Sequence, residues 1–151
     1  MRKEDMYHYT SCGLRNIWLR NGYEAKETSY GHGVAIHNVE GLHKAIGLNL
    51  VRNKHQLSGA EIRFLRKELD MPQAQLAALL GVSESSVRGW EKHRVKITKP
   101  TERLLRMLYQ EYAAGNSSVR GLIERLGQIN RDIYANGMDL EETENGWRTA
   151  A

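Results

Sequence analysis

The sequence predicts an α+β protein: a small β-rich N-terminal module over residues 1–56, then an all-helical part of about five helices. Two patterns support this. Residues 6–37 alternate apolar and polar side chains around glycine turns, whereas from Ser58 onward apolar residues recur at helical spacing. Composition agrees with a folded chain. Of 151 residues, 40% are hydrophobic and 26% charged, close to ordinary globular usage.

In the first part, Tyr7 and Tyr9 alternate with polar neighbours, as do Ile17 and Leu19. Asn21-Gly22 then predicts a type I′ hairpin leading into Tyr23 and Ala25, because both residues tolerate positive φ. Gly31-His32-Gly33 predicts a second turn and Val34-Ala35-Ile36 a third short strand. Asn38 is an N-cap for a helix carrying Val39, Leu42, Ile46 and Leu50, followed by a polar linker from Arg52 to His55. The aromatics Tyr7, Tyr9, Trp18 and Tyr23 are expected to form a small core.

In the second part, Ile62, Leu65 and Leu69 mark one helix. Pro72 opens another, with Leu76, Ala77, Leu79 and Leu80 apolar, and Gly81 ends it. Ser83 caps a third helix whose Val87 and Trp90 point inward. Pro100 suits the start of a fourth, carrying Leu104, Leu105, Leu108 and Tyr112. A fifth is expected from Ser117 or Ser118 to about Tyr134. The tail over 136–151 is Gly-, Glu- and Thr-rich and is expected to be mobile.

Several function classes recede. No run of 18 apolar residues exists, so no membrane span or membrane partner is expected. Met1-Arg2-Lys3-Glu4-Asp5 leads into no apolar stretch, so no secretory signal is expected, and a lone cysteine, Cys12, favours the cytoplasm. The histidines at 8, 32, 37, 43 and 55 fit no zinc spacing and are expected on the surface, so no metal and no cofactor is expected. No nucleophile elbow or His-Glu metal motif is present, so the expectation is a non-enzyme.

Charge is more informative. The formal net charge is +4. Between Ser85 and Gln110 the basic residues Arg88, Lys92, Arg94, Lys96, Lys99, Arg103 and Arg106 are opposed only by Glu91 and Glu102. This is either a solvated face or a surface for phosphates. Spacing adds that the helix after Gly81 can project from its supports into a major groove about 12 Å wide. An ordinary helical hairpin in a core fits the same spacing.

The run from Gln73 to Glu91 resembles the helix-turn-helix of the phage repressor/Cro (Xre-type) family. Gln73, Leu76-Ala77, Leu80-Gly81-Val82-Ser83, Ser86-Val87 and Trp90-Glu91 stand at that family's spacing, and with flanking helices the resemblance covers about residues 57–112, within a domain expected over 57–115. It implies a DNA-binding domain acting as a homodimer on double-stranded DNA. It implies that Ser83, Glu84, Ser85, Arg88 and Gly89 face base edges. Gln73, Lys92, His93, Arg94, Lys96 and Lys99 would meet phosphates, and Arg66 with Glu91 would form a structural ion pair. Two departures stand out: Lys92-His93-Arg94 replaces a common glycine after the helix, and Pro72 replaces a common Ser or Thr cap.

The segment 116–135 offers a dimerisation stripe in Val119, Leu122, Leu126, Ile129 and Ile133, broadened by Ile123. The alternatives are packing on the protein's own core and dimerisation through a free strand edge. Cys12-Gly13 after Tyr7-x-Tyr9 makes the layout loosely similar to MqsA-like antitoxins, without their other cysteines, and HigA-like antitoxins share the helix-turn-helix. Three readings follow: a dimeric repressor, an antitoxin that binds a toxin and represses its operon, or an adaptor that binds no DNA.

Overall fold

The computed structural model describes residues 2–128 and 137–150. A short 3-10 turn at Lys3–Asp5 precedes two antiparallel pairs. Strand β1 (Tyr7–His8) pairs with β2 (Trp18–Leu19), and β3 (Tyr23–Thr28) with β4 (Gly31–Ile36). Helices α1 (Val39–Asn53), α2 (Gly59–Glu68), α3 (Gln73–Leu80), α4 (Glu84–Glu91), α5 (Lys99–Ala113) and α6 (Ser118–Gly127) follow. A last hairpin joins β5 (Leu140–Thr143) to β6 (Gly146–Thr149). The architecture is α+β, with five helices after residue 57 among the described residues. No described helix is long and apolar enough to cross a membrane.

The strand pairing differs from the expected Asn21-Gly22 hairpin. Gly22 takes φ +80, but Asn21 stays at negative φ, so the type I′ turn does not form. Strand β2 turns back to β1 instead, and β3 finds β4 through Ser29-Tyr30. Gly31, His32 and Gly33 lie within β4 rather than in a turn. The tail expected to be mobile contains β5 and β6. The two hairpins share a signature, Glu27-Thr28-x-x-Gly31 and Glu142-Thr143-x-x-Gly146. In each, the threonine Oγ1 donates to the glycine carbonyl, at 3.0 and 2.8 Å.

Local signals explain the helix ends. The Asn38 side chain accepts from Gly41 N–H at the start of α1. Ser58 and Glu61 form a reciprocal capping box on α2. Pro72 is the N-cap of α3 and offers no side-chain cap. Arg52 and Asn53, expected in the linker, complete α1.

One buried cluster holds the helices together. Leu65, Leu76, Val87, Leu105 and Tyr109 are its least exposed members, joined by Ile46, Leu50 and Val51 of α1 and Tyr9 of the N-terminal part. The core therefore continues across residue 56, where the sequence suggests a boundary. Helix α1 crosses α5 closely at Gly47, where any Cβ would run into the ring of Tyr109. Tyr9, expected in a separate aromatic core, is spent in this shared one, while Tyr7 packs on Tyr23 and Trp18 stacks on His8.

Not all histidines are on the surface. His43 is half-buried, its Nε2 2.7 Å from the Tyr9 hydroxyl and its Nδ1 3.3 Å from Glu68 Oε2. This chain of contacts pins the N-terminal part to α1 and α2.

Burial, with Glu68 and Tyr112 nearby, pushes the Tyr109 phenol up from 10.0 to about 12. The folded state holds this proton more tightly than the unfolded chain. Its contribution to stability is complete below pH 10 and is lost as the pH rises through about 12. The unfolding midpoint should fall across that window, and Tyr109→Phe should flatten the fall. The slope should not vanish, because burial also raises the pKa of Tyr9. Identical slopes in denaturant titrations of both proteins would assign the effect to other groups.

Candidate nucleic-acid interface

The candidate interface is built by α3, its turn and α4. Helix α3 stops because Gly81 takes φ +72, a conformation L side chains rarely adopt, and Val82 N–H reaches back to the Ala77 carbonyl at 3.0 Å. Val82 is half-buried against the core and seats the turn. Ser83 then caps α4, its Oγ accepting from Ser86 N–H at 3.1 Å. Val87 is fully buried and Trp90 is 5% exposed, so α4 is anchored from behind.

What remains outside is short. Glu84, Ser85 and Arg88 are exposed on the outer side of α4. Arg88 Nη2 lies 3.6 Å from Glu84 Oε1, an exposed i,i+4 pair. Such pairs contribute about 0.3–0.5 kcal/mol, so a base edge or phosphate can draw the guanidinium away at little cost. Ser83 is exposed, but its hydroxyl is engaged in the cap and with Ser86 Oγ at 2.9 Å.

Gly89 departs from the expected reading face. It is buried, and a Cβ there would stand 3.2 Å from Val95 Cγ2. The reason lies in the exit from α4. Lys92 closes the helix, and His93 takes φ +58 while its N–H donates to the Trp90 carbonyl at 3.1 Å. Arg94 N–H then donates to the Gly89 carbonyl at 2.9 Å, folding the chain back over Gly89. His93 thus takes the left-handed position common to glycine after helices, which histidine tolerates better than most residues.

Arg66 and Glu91 form a two-pronged ion pair: Nε to Oε2 at 2.8 Å and Nη2 to Oε1 at 2.9 Å. Their side chains are only 12% and 5% exposed. Arg66 Nη1 also donates to the Met71 carbonyl at 3.0 Å, and Gln73 Nε2 donates to Glu91 Oε1 at 3.3 Å. One carboxylate at the end of α4 is thereby tied to α2 and to the start of α3. Gln73 braces the unit from its half-buried place at the head of α3.

Of the expected phosphate-facing residues, Gln73 is the half-buried one, whereas Lys92, His93, Arg94, Lys96 and Lys99 are all exposed. None has an ion-pair partner among the described residues. Arg106, counted by sequence in the same basic run, is spent differently. Its guanidinium pairs with Glu102 and donates to the carbonyls of Leu50, Val51, Lys54 and His55 at the end of α1. Glu102 is one helical turn away, but the carbonyl partners lie more than fifty residues away, and no spacing rule pointed to them.

In the proposed dimer stripe, Val119 and Ile123 pack against the protein's own core, whereas Leu122 and Leu126 are 49% and 55% exposed. Ile129 and Ile133 lie outside the described residues, as does the expected continuation of the helix to Tyr134.

Comparison with known proteins places residues 62–108, about a third of the chain, in a match to the helix-turn-helix family model. Neither curated proteins nor solved structures return a match. The similarity to MqsA-like and HigA-like antitoxins has no counterpart in these comparisons. The matched segment runs from within α2 to within α5, and geometry and family match together support a DNA-binding transcription regulator of helix-turn-helix type.

Proposed function

We propose that this protein is a sequence-specific repressor that binds DNA as a homodimer, setting α4 of each copy in the major groove. The observation that carries this is the contrast across α4. Val87, Trp90 and Glu91 are held from behind, and Glu84, Ser85 and Arg88 are left bare in front. Arg88 suits the O6 and N7 acceptors of guanine, Glu84 the N4 donor of cytosine, and Ser85 either kind of group. Lys92, Arg94, Lys96 and Lys99 leave the helix toward the passing backbone and position rather than specify.

Footprinting on DNA upstream of the protein's own gene is the test. Two protected half-sites with centres about 34 Å apart, one helical turn, support the dimer. Absence of any protected, salt-sensitive site rejects the DNA reading and leaves the adaptor. On the identified site, Arg88→Ala should weaken binding by about 1–3 kcal/mol and relax base preference at one position per half-site. Lys92→Ala or Arg94→Ala should instead weaken specific and scrambled DNA alike, each lowering the salt slope by about 1. Retardation assays at several salt concentrations separate the two patterns. Equal losses for Arg88→Ala on both DNAs would remove its reading role.

The exposed leucines of α6 support the dimer contact. Leu122→Glu with Leu126→Glu should yield a monomer in sedimentation velocity and weaken operator binding. An unchanged sedimentation coefficient would place the contact elsewhere.

A further inference from the structure

The β1–β2 loop, β2, α1 and the start of α2 together line a cleft of about 850 Å³. Ile17, Trp18 and Leu19 line one wall, and Leu42, Ile46 and Leu50 line the other. The volume lies in the range of small-molecule sites, and an apolar lining with a few polar groups is their usual make-up.

The polar groups narrow the chemistry. Lys54 reaches the cleft but is neutralised by Glu61, whose two carboxylate oxygens lie 3.1 and 3.0 Å from its Nζ. Arg15 also lines the cleft and has no carboxylate partner among the described residues. An uncommitted guanidinium beside an apolar slot favours a ligand that brings its own carboxylate, held by two parallel N–H donors.

The lining of the cleft reaches the end of α4. It includes Ser58 and His93. His93 is the residue at positive φ that turns the chain out of α4 toward Arg94 and Lys96. Beside it, α2 abuts the end of α4 so closely at Gly59 that a Cβ there would collide with the Trp90 carbonyl. A ligand that extends to this end of the cleft would contact His93, the residue that turns the chain into the basic exit loop.

We propose that this cleft binds a small amphipathic monocarboxylate, an apolar ring or chain bearing one carboxylate, and that occupancy changes DNA affinity through His93. The second half rests on the DNA-binding reading above, and the test keeps the two apart. The probe is 1-anilinonaphthalene-8-sulfonate, apolar rings with one anionic group, titrated onto the full chain. Its fluorescence should report one saturable site. That signal should be displaced at least tenfold better by 2-naphthoate than by the neutral 2-naphthamide. Ala45, exposed on the α1 wall, allows a blocking variant, and Ala45→Trp should abolish saturable binding. Arg15→Gln, at an exposed position, should erase the preference for the acid and decides the matter if Ala45→Trp fails to fold. On retarded DNA, saturating 2-naphthoate should move the midpoint about 5–150-fold in the parent protein and not in Ala45→Trp.

Saturable probe binding retained by folded Ala45→Trp overturns the site. Equal displacement by acid and amide, or an unchanged preference in Arg15→Gln, overturns the carboxylate. Displacement without any shift in the DNA midpoint overturns the coupling. Failure to retard DNA in the absence of ligand overturns the DNA reading and the coupling with it, while the probe titration still decides the site.

Discussion

Glu91→Ala is expected to lower the unfolding free energy by about 3–5 kcal/mol, because it strands a buried charge. Arg66 is 12% exposed and would keep only the Met71 carbonyl as partner, which hydrogen-bonds the guanidinium without neutralising it. Gln73 would lose its acceptor at the same time. Domains are stable by only about 5–15 kcal/mol, so this is a large fraction of the whole. A urea titration of parent and variant reads it directly. The double change Arg66→Met with Glu91→Leu should recover most of the loss, since apolar replacements of a buried pair are often close to neutral. A loss under about 1 kcal/mol in Glu91→Ala would mean that water reaches the pair and that it behaves as a surface contact. Operator binding should fall with stability, because the same carboxylate holds the end of α4 to α2 and α3.

Arg106→Ala is expected to cost a similar amount, about 3–5 kcal/mol. Two deficits arise together. Glu102, with 10% of its side chain exposed, is left without its cation. The carbonyls of Val51, Lys54 and His55, at and just beyond the end of α1, lose the guanidinium as donor, while that of Leu50 keeps the Lys54 N–H at 3.1 Å. Arg106→Lys separates charge from geometry. A lysine restores the positive charge but not a planar fork able to serve several acceptors, so an intermediate loss is expected. Full recovery by lysine would show that only the ion pair matters. Hydrogen exchange at the end of α1 adds a local readout, since amides there should lose protection in Arg106→Ala beyond the global change.

These two residues show how unevenly the molecule could be read from its sequence. Arg66 and Glu91 stood out because a family resemblance supplied their partnership. Arg106 carried no such label and was grouped with the basic run, although its side chain points back to α1. Gly89 was placed with the reading residues by its position on α4, and only the return of the chain through His93 and Val95 covers it. Tyr9, His43 and Glu68 lie far apart in the chain, and nothing in their spacing announced that they meet.

What the sequence determined by itself was whatever local chemistry enforces. The end of α3 and the start of α4 follow from Gly81 and the cap at Ser83, and the inward side of α4 follows from a helical period anchored by Val87 and Trp90. Tertiary structure decided which strand pairs with which, whether the Leu140–Thr149 region forms a hairpin, and which charges stay outside. The physical reason is range. A cap or a turn is settled among neighbours within one turn of chain. A strand's partner and a guanidinium's acceptors are chosen among residues that only the folded core brings together.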